Sequence, residues 1–277
     1  MCRNLALKSG APIVAYDRDA APLARLEAHG VAAAGSVKAV ADGADIVFLS
    51  LPSGEVVAEL VRGEHGLLAA ARTGQIVVDL GTSPVDLTRQ LAQEFARRDA
   101  SFVDAPVART RAAAEAGTLS VMVGADAKTF DAIRPLLAMF ASDVTHCGQV
   151  GCGQVVKILN NMVLFETVIA LAEAHAIGTR SGVDPQLLFD ALSKGSADSF
   201  ALRNHGMKAI LPGQFPARAF SVEYARKDLS YALRLARESA VDASGARNAD
   251  GWLRQAIEAG DGDLYFPVVS RVIGRKH

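Results

Sequence analysis

Asp45-Ile-Val-Phe-Leu-Ser-Leu51 is almost continuously apolar and is stopped by Pro52, which has no amide hydrogen to give to a sheet. Because polar residues do not alternate through it, the run predicts a strand buried on both faces, as in parallel sheets, not a half-solvated one. The same pattern recurs on either side, in Ile13-Val-Ala-Tyr-Asp17, Val31-Ala32, Gln75-Ile-Val-Val-Asp79 and Ser101-Phe-Val-Asp104. Between these runs, helices are predicted near 20–29, 37–42, 54–62 and 84–98, and residues 1–10 read as an amphipathic helix. Strands alternating with helices imply a doubly wound α/β domain with a parallel sheet. From about residue 153 no strand is predicted, and helical periodicity covers 153–181, 185–193, 221–240 and 246–259. Ser181-Gly-Val-Asp-Pro185 and Leu211-Pro-Gly-Gln-Phe-Pro216 break it. The expected organisation is an α/β domain over 1–150 followed by an all-α domain over 151–277.

A chain of 277 residues supports roughly two domains. With 50% hydrophobic and 21% charged residues it can bury a large core, which excludes a disordered chain. The net charge of -1 provides no basic stripe for nucleic acid and no polybasic patch for a membrane surface, so the expected partner is a small molecule. Cys2, Cys147 and Cys152 are an odd number in a chain too large to depend on disulfides, which fits a reduced, cytoplasmic protein. Cys147 and Cys152 flank four residues, but no second Cys/His cluster completes a ligand set, and no metal is expected. No run approaches the ~18 apolar residues of a membrane span, and the N-terminus lacks the apolar centre of a signal peptide.

Chemistry concentrates where the two patterns meet. Gly148-Gln-Val-Gly151-Cys-Gly153-Gln-Val-Val-Lys157-Ile-Leu-Asn160-Asn161 is a glycine-rich turn opening a helix, and Lys157, Asn160 and Asn161 share one helical face. A cation beside neutral amides is a device for binding and protonating a carbonyl oxygen; the bland alternative is an ordinary helix with a solvated lysine. Asp17 ends a strand at the carboxyl edge of the sheet, where an acid holds the adenosine ribose in dinucleotide-binding domains. The adjacent Arg18 would suit a 2'-phosphate, so NADP stays open, with NAD favoured by the carboxylate. Only sixteen residues precede Asp17, and they contain no G-x-G-x-x-G loop. Gly151-Cys-Gly-Gln-Val-Val156 is a near match that reads as a turn into the second domain.

The order of Val47-Phe-Leu-Ser-Leu-Pro52, Val78-Asp-Leu-Gly-Thr-Ser-Pro84, Phe102-Val-Asp-Ala-Pro-Val107, Gly117-Thr-Leu-Ser-Val-Met-Val-Gly124, Gly151-x-Gly-x-x-x-Lys157-x-x-Asn-Asn161 and Arg226-Lys-Asp-Leu229 resembles the β-hydroxyacid dehydrogenase family, which includes 3-hydroxyisobutyrate dehydrogenase. The likeness covers nearly the whole chain. It implies a Rossmann-type domain followed by a helical one, and NAD(P)-dependent interconversion of a small anionic semialdehyde and its β-hydroxy acid by a homodimer or homotetramer. Lys157 would be the catalytic lysine and Asn161 the amide that orients the substrate, with Asn160 beside it. Leu51, Pro52 and Thr82 would line the cofactor, and Lys227 would be the family's second lysine, near the nicotinamide.

Two departures from the family pattern stand out. Members open with a strand and a Gly-x-Gly-x-Met-Gly loop, and Met1-Cys-Arg-Asn-Leu is similar to the residues just after that loop; a late start or shortened chain is expected in preference to a cofactor-free relative. After Asp104-Ala-Pro-Val107, where the family places Ser-Gly-Gly, this chain has Ala108-Arg109-Thr110. Arg109 offers a bidentate clamp for a substrate oxyanion and Thr110 a hydroxyl, a stretch similar to that of sulfolactaldehyde reductases. The rival readings are a sulfonated substrate, an Arg109 that merely caps a helix, and a non-catalytic relative that has lost cofactor binding.

Overall fold

The computed structural model describes residues 1–217 and 219–275. Its chain forms two compact units, Met1–Lys157 and Ile158–His277. The division between these compact units falls inside a helix, after Lys157, because the first turns of that helix are held by the sheet.

In the first unit the order is α1 (Cys2–Lys8), β1 (Ile13–Ala15), α2 (Ala20–Glu27), β2 (Val31–Ala33), α3 (Val37–Gly43), β3 (Ile46–Leu49), α4 (Gly54–Arg62), α5 (Leu67–Ala70), β4 (Ile76–Asp79), α6 (Val85–Ala96), β5 (Ser101–Asp104), β6 (Val107–Ala108), α7 (Arg111–Ala116), β7 (Leu119–Gly124), α8 (Ala127–Leu137) and β8 (Ala141–Gly148), leading into α9 (Cys152–Arg180). Strands β3, β4 and β5 are parallel, as are β7 and β8. The apolar runs do cover both faces. Val47, Val77 and Phe102 pack with Val57, Leu91 and Phe95 of α4 and α6, whereas Val78 and Val103 pack with Leu5 of α1 and Ile133 and Leu137 of α8.

The sheet departs from the sequence reading in two ways. β1 and β2 pair in parallel with each other but belong to a separate two-stranded sheet. β6, β7 and most of β8 were not expected as strands, and β7 runs antiparallel to β5 and β6. β7 alternates buried and half-buried residues through Leu119-Ser-Val-Met-Val, and a short strand with serine and methionine on its less buried face carries little of the continuous apolar signal.

The second unit is helical. Most of α9 belongs to it, with α10 (Pro185–Leu192), a π-helix over Leu202–Ile210, α11 (Val222–Glu238), α12 (Ser244–Glu258), a 3-10 turn at Phe266–Val269 and α13 (Ser270–Ile273). Phe165 of α9 is at its centre, with ring centroids 5.3 Å from Phe266 and 5.8 Å from Phe220. The expected break at 211–216 comes after the π-helix, whose last bond runs from the Leu211 amide to the Gly206 carbonyl at 2.9 Å. Against the sequence expectation, α9 is long and apolar enough to cross a membrane by length and composition, a test that core helices also pass. Phe165, Val168, Ile169, Leu171 and Ala172 of α9 are buried within the fold.

Candidate active site

The parallel register sets Leu49 beside Asp79 and Asp79 beside Asp104, and Asp104 lies opposite Gly124. A row of strand ends is thereby formed from which the loops emerge. Both acids are fully buried. Asp79 shapes the loop after it: Oδ1 accepts the Gly81 amide at 2.9 Å and Oδ2 the Ser83 hydroxyl at 2.7 Å. A Cβ on Gly81 would stand 3.0 Å from the Leu51 carbonyl, so the loop carrying Thr82 lies against the loop carrying Leu51 and Pro52.

Asp104 holds the start of α9. The first amides of a helix lack intrahelical partners. Here Asp104 Oδ1 accepts from Gly151 and Oδ2 from Gln154, each at 2.7 Å. Gln154 is itself pinned, since its Oε1 accepts the Ser83 amide at 3.1 Å and its Nε2 donates to the Gly81 carbonyl at 2.9 Å. Burial pushes the Asp104 carboxyl up to about 6, against the two amides that favour its charge and together with the neighbouring Asp79, which raises it further. The Gly151-Cys-Gly153 motif serves this packing. Gly151 has φ +92, and a Cβ on Gly153 would meet the Met122 carbonyl at 2.3 Å. The amide of Gly151 donates to Asp104, so this turn seats α9 on the sheet, in keeping with its reading as a turn into the second domain.

Lys157, half-buried, stands two turns into α9. Asn161 lies four residues later, about 6 Å along the axis and on the same face. Asn161 is buried, and its Nδ2 donates to Asp228 Oδ2 at 2.7 Å while its Oδ1 accepts from Asn160 at 3.1 Å. Asp228, 1% exposed, also pairs through Oδ1 with Lys227 Nζ at 3.0 Å, and that ammonium lies 3.9 Å from the centre of the Tyr224 ring. Lys227, expected near the nicotinamide, is thus paired with its sequence neighbour Asp228. Asn160 is exposed apart from its bond to Asn161.

The clamp expected at Arg109 is not the arrangement found. The Arg109 guanidinium donates to the Thr118 carbonyl and the Ser142 hydroxyl, both at 2.7 Å, and to Asp143 at 2.6 Å. These partners lie by the amino-terminal ends of β7 and β8, whereas Asp104 and α9 meet the other end, at Met122 and Gly124. Thr110 caps α7, its hydroxyl accepting the Ala113 amide at 3.3 Å. Arg109 braces a turn because an acid stands within reach at position 143, a pairing that sequence spacing does not reveal.

Asp17 is exposed just beyond β1, one oxygen accepting the Asp19 amide at 2.9 Å. Arg18 is exposed and 3.7 Å from Glu59. The donor set of the first unit fits a dinucleotide: a solvent-facing carboxylate suits ribose hydroxyls, and Gly81 brings the loop that carries Thr82 against the Leu51 carbonyl at the edge where such ligands bind. Sequence reasoning missed Asp79, Ser83, Asp104 and Gln154. The spacing Asp79-x-Gly-x-Ser83 is a turn signature that could have revealed two of them.

Residues 1–148 match the family described as the NAD binding domain of 6-phosphogluconate dehydrogenase, and residues 151–273 the one described as NAD-binding of NADP-dependent 3-hydroxyisobutyrate dehydrogenase. The chain is 36% identical to 2-(hydroxymethyl)glutarate dehydrogenase of Eubacterium barkeri over 87% of its own length and 79% of the relative's. It is 34% identical to 3-hydroxyisobutyrate dehydrogenase of Pseudomonas aeruginosa over 88% and 83%. Among solved structures it is similar to the Mycobacterium tuberculosis 3-hydroxyisobutyrate dehydrogenase with L-serine, at a TM-score of 0.89 and 28% identity over 99% and 94% of the two chains. A Rossmann-type unit and a helical unit, each matched along its length, together with these relatives show that the chain belongs to the β-hydroxyacid dehydrogenase family and is an NAD(P)-dependent oxidoreductase.

Proposed function

We propose that the chain oxidises a 2-substituted 3-hydroxypropanoate, HOCH2–CH(R)–COO⁻, to the semialdehyde and catalyses the reverse reduction, with Lys157 as acid and base. The observation that carries this reading is that one helix, fixed at its start by a buried carboxylate, places Lys157 and the immobilised amide of Asn161 on the same face. The substrate class is supported by the compounds in the relatives' names, 2-(hydroxymethyl)glutarate and 3-hydroxyisobutyrate, which share that skeleton, as does the L-serine in the mycobacterial structure.

The nicotinamide, when bound, gives or takes the hydride. In the reduction Lys157 Nζ donates its proton to the carbonyl oxygen as negative charge develops there, and in the oxidation its neutral amine takes the hydroxyl proton. Asn161 orients the substrate oxygen, its amide held by Asp228 and Asn160 so that it does not have to be ordered on binding. Asp17 takes the ribose hydroxyls and disfavours a 2'-phosphate, which makes NAD the preferred cofactor.

The test is a panel of 3-hydroxypropanoates with R as hydrogen, methyl, ammonium or carboxyethyl, plus a sulfonate analogue, assayed with NAD+ and NADP+. Turnover of at least one carboxylate is expected, with kcat/KM roughly tenfold or more higher for NAD+, a difference of about 1.4 kcal/mol. Activity confined to the sulfonate would reject the carboxylate assignment, and a preference for NADP+ would reject the role given to Asp17. A homo-oligomer is proposed on the strength of Val156, Leu159, Val163 and Ile177, apolar and 39–65% exposed along one side of α9. Sedimentation as a monomer at micromolar concentration would remove it.

A further inference from the structure

We propose that Asp104 is a positioning residue for the reaction: by holding the Gly151 and Gln154 amides, its carboxylate fixes the axial position and rotation of α9 and therefore where Lys157 Nζ stands. The inference rests on the proposed acid/base role of Lys157.

Asp104 ends β5, while the helix it caps begins 48 residues later, so the contact joins the sheet edge to the helix and is not a local cap. Each carboxylate oxygen takes one amide at 2.7 Å, and a two-point attachment constrains both translation and rotation. Space for the carboxylate is made by glycines. A Cβ on Gly124 would stand 2.4 Å from Asp104 Oδ1, and one on Gly153 would stand 2.8 Å from Oδ2. Lys157 is only three residues beyond Gln154, so an error in the phase of the first turn is carried directly to its side chain.

Protonation would weaken the attachment, since a neutral carboxyl keeps one good acceptor where the carboxylate has two. The charged and titratable groups around Asp104 are Asp79 on β4, Cys147 on β8 and, against Gly151, Arg89 of α6. Of these, Asp79 raises the Asp104 carboxyl, which burial has already lifted to about 6, and Cys147 is pushed up, away from this range, by burial and by Asp104. In the reduction direction Lys157 must be protonated, so Lys157 itself predicts no loss of activity on the acid side.

The experiment is steady-state reduction by the full chain with saturating NADH and the best semialdehyde of the panel, over about pH 5 to 9, for the wild type, Asp104→Asn and Lys157→Ala. Wild-type kcat is expected to fall on the acid side around pH 6. Asp104→Asn, which turns one acceptor into a donor facing an amide, is expected to lose about 10- to 100-fold in kcat with KM and NADH affinity little changed, and to lose the acid limb. A wild-type profile with no limb near pH 6 overturns the proposal even if the variant does not fold. So does a folded Asp104→Asn with wild-type kcat and the same limb. Lys157→Ala with normal turnover overturns instead the reading on which the proposal rests, while an inactive Lys157→Ala beside a fully active Asp104→Asn overturns the proposal alone.

Discussion

Lys157→Ala is expected to lower kcat by about 10²- to 10⁴-fold in both directions while the affinity for NADH stays within about threefold of wild type. Hydride transfer to a carbonyl leaves negative charge on oxygen, and the ammonium is the group proposed to neutralise it; alanine offers neither charge nor proton. Cofactor affinity should persist, because the residues assigned to the dinucleotide, Asp17 just beyond β1 and Leu51, Pro52 and Thr82 on the loops after β3 and β4, do not include Lys157, and Gln154, which pins the second of these loops, is unchanged. Lys157→Arg separates charge from proton transfer. A guanidinium keeps the positive charge but does not give up its proton at any working pH, so the arginine variant should remain deficient, most of all in the oxidation direction. Stopped-flow reduction with bound NADH would measure the chemical step itself. If Lys157→Ala retained wild-type turnover with a folded chain, the proton would have to come from elsewhere and the assignment would be wrong.

Much of this was legible in the sequence, for definite physical reasons. Strands buried on both faces, such as Ile46–Leu49 and Ile76–Asp79, have little choice but to be continuously apolar, and a helix of 29 residues imposes its period many times over. The strand β7 was lost because only one of its faces is well buried. Its partner relation to β8 depends on residues more than twenty positions apart, which no window detects. That Lys157 and Asn161 share one face was legible because helix geometry alone puts residues four apart together. Asp104, Gln154 and Asp228 were missed because their importance comes from what packs on them: a buried carboxylate reads in sequence like any acid at a strand end. Arg109 shows what spacing does not reveal. A guanidinium in the right motif position suggested an anion clamp, yet Asp143 and Ser142, 34 and 33 residues away, take up its donors in the fold.

Gly153→Ala is expected to be the most damaging single methyl group in the first unit, lowering stability by roughly 3 kcal/mol or more. The added Cβ would stand 2.3 Å from the Met122 carbonyl oxygen, 2.8 Å from Asp104 Oδ2 and 2.9 Å from the Gly124 amide. Two of these neighbours are backbone atoms at the end of β7, and the third is a carboxylate already committed to two amides, so no flexible side chain can swing away. Relief requires the helix to lift off the sheet, which breaks the bonds from Gly151 and Gln154 to Asp104. The intrinsic preference of alanine for helix over glycine, about 1 kcal/mol in its favour, is too small to offset this. Thermal unfolding should show Tm lowered by several degrees, with a larger loss of kcat than stability alone explains because the base of α9 is displaced. As a comparison, Gly251→Ala on α12, where a Cβ would meet nothing within 4 Å, should leave Tm unchanged or slightly raised. Equal Tm values for Gly153→Ala and wild type would mean that α9 does not lie against β7 as closely as the glycine implies, and the two-point hold by Asp104 would fall with it.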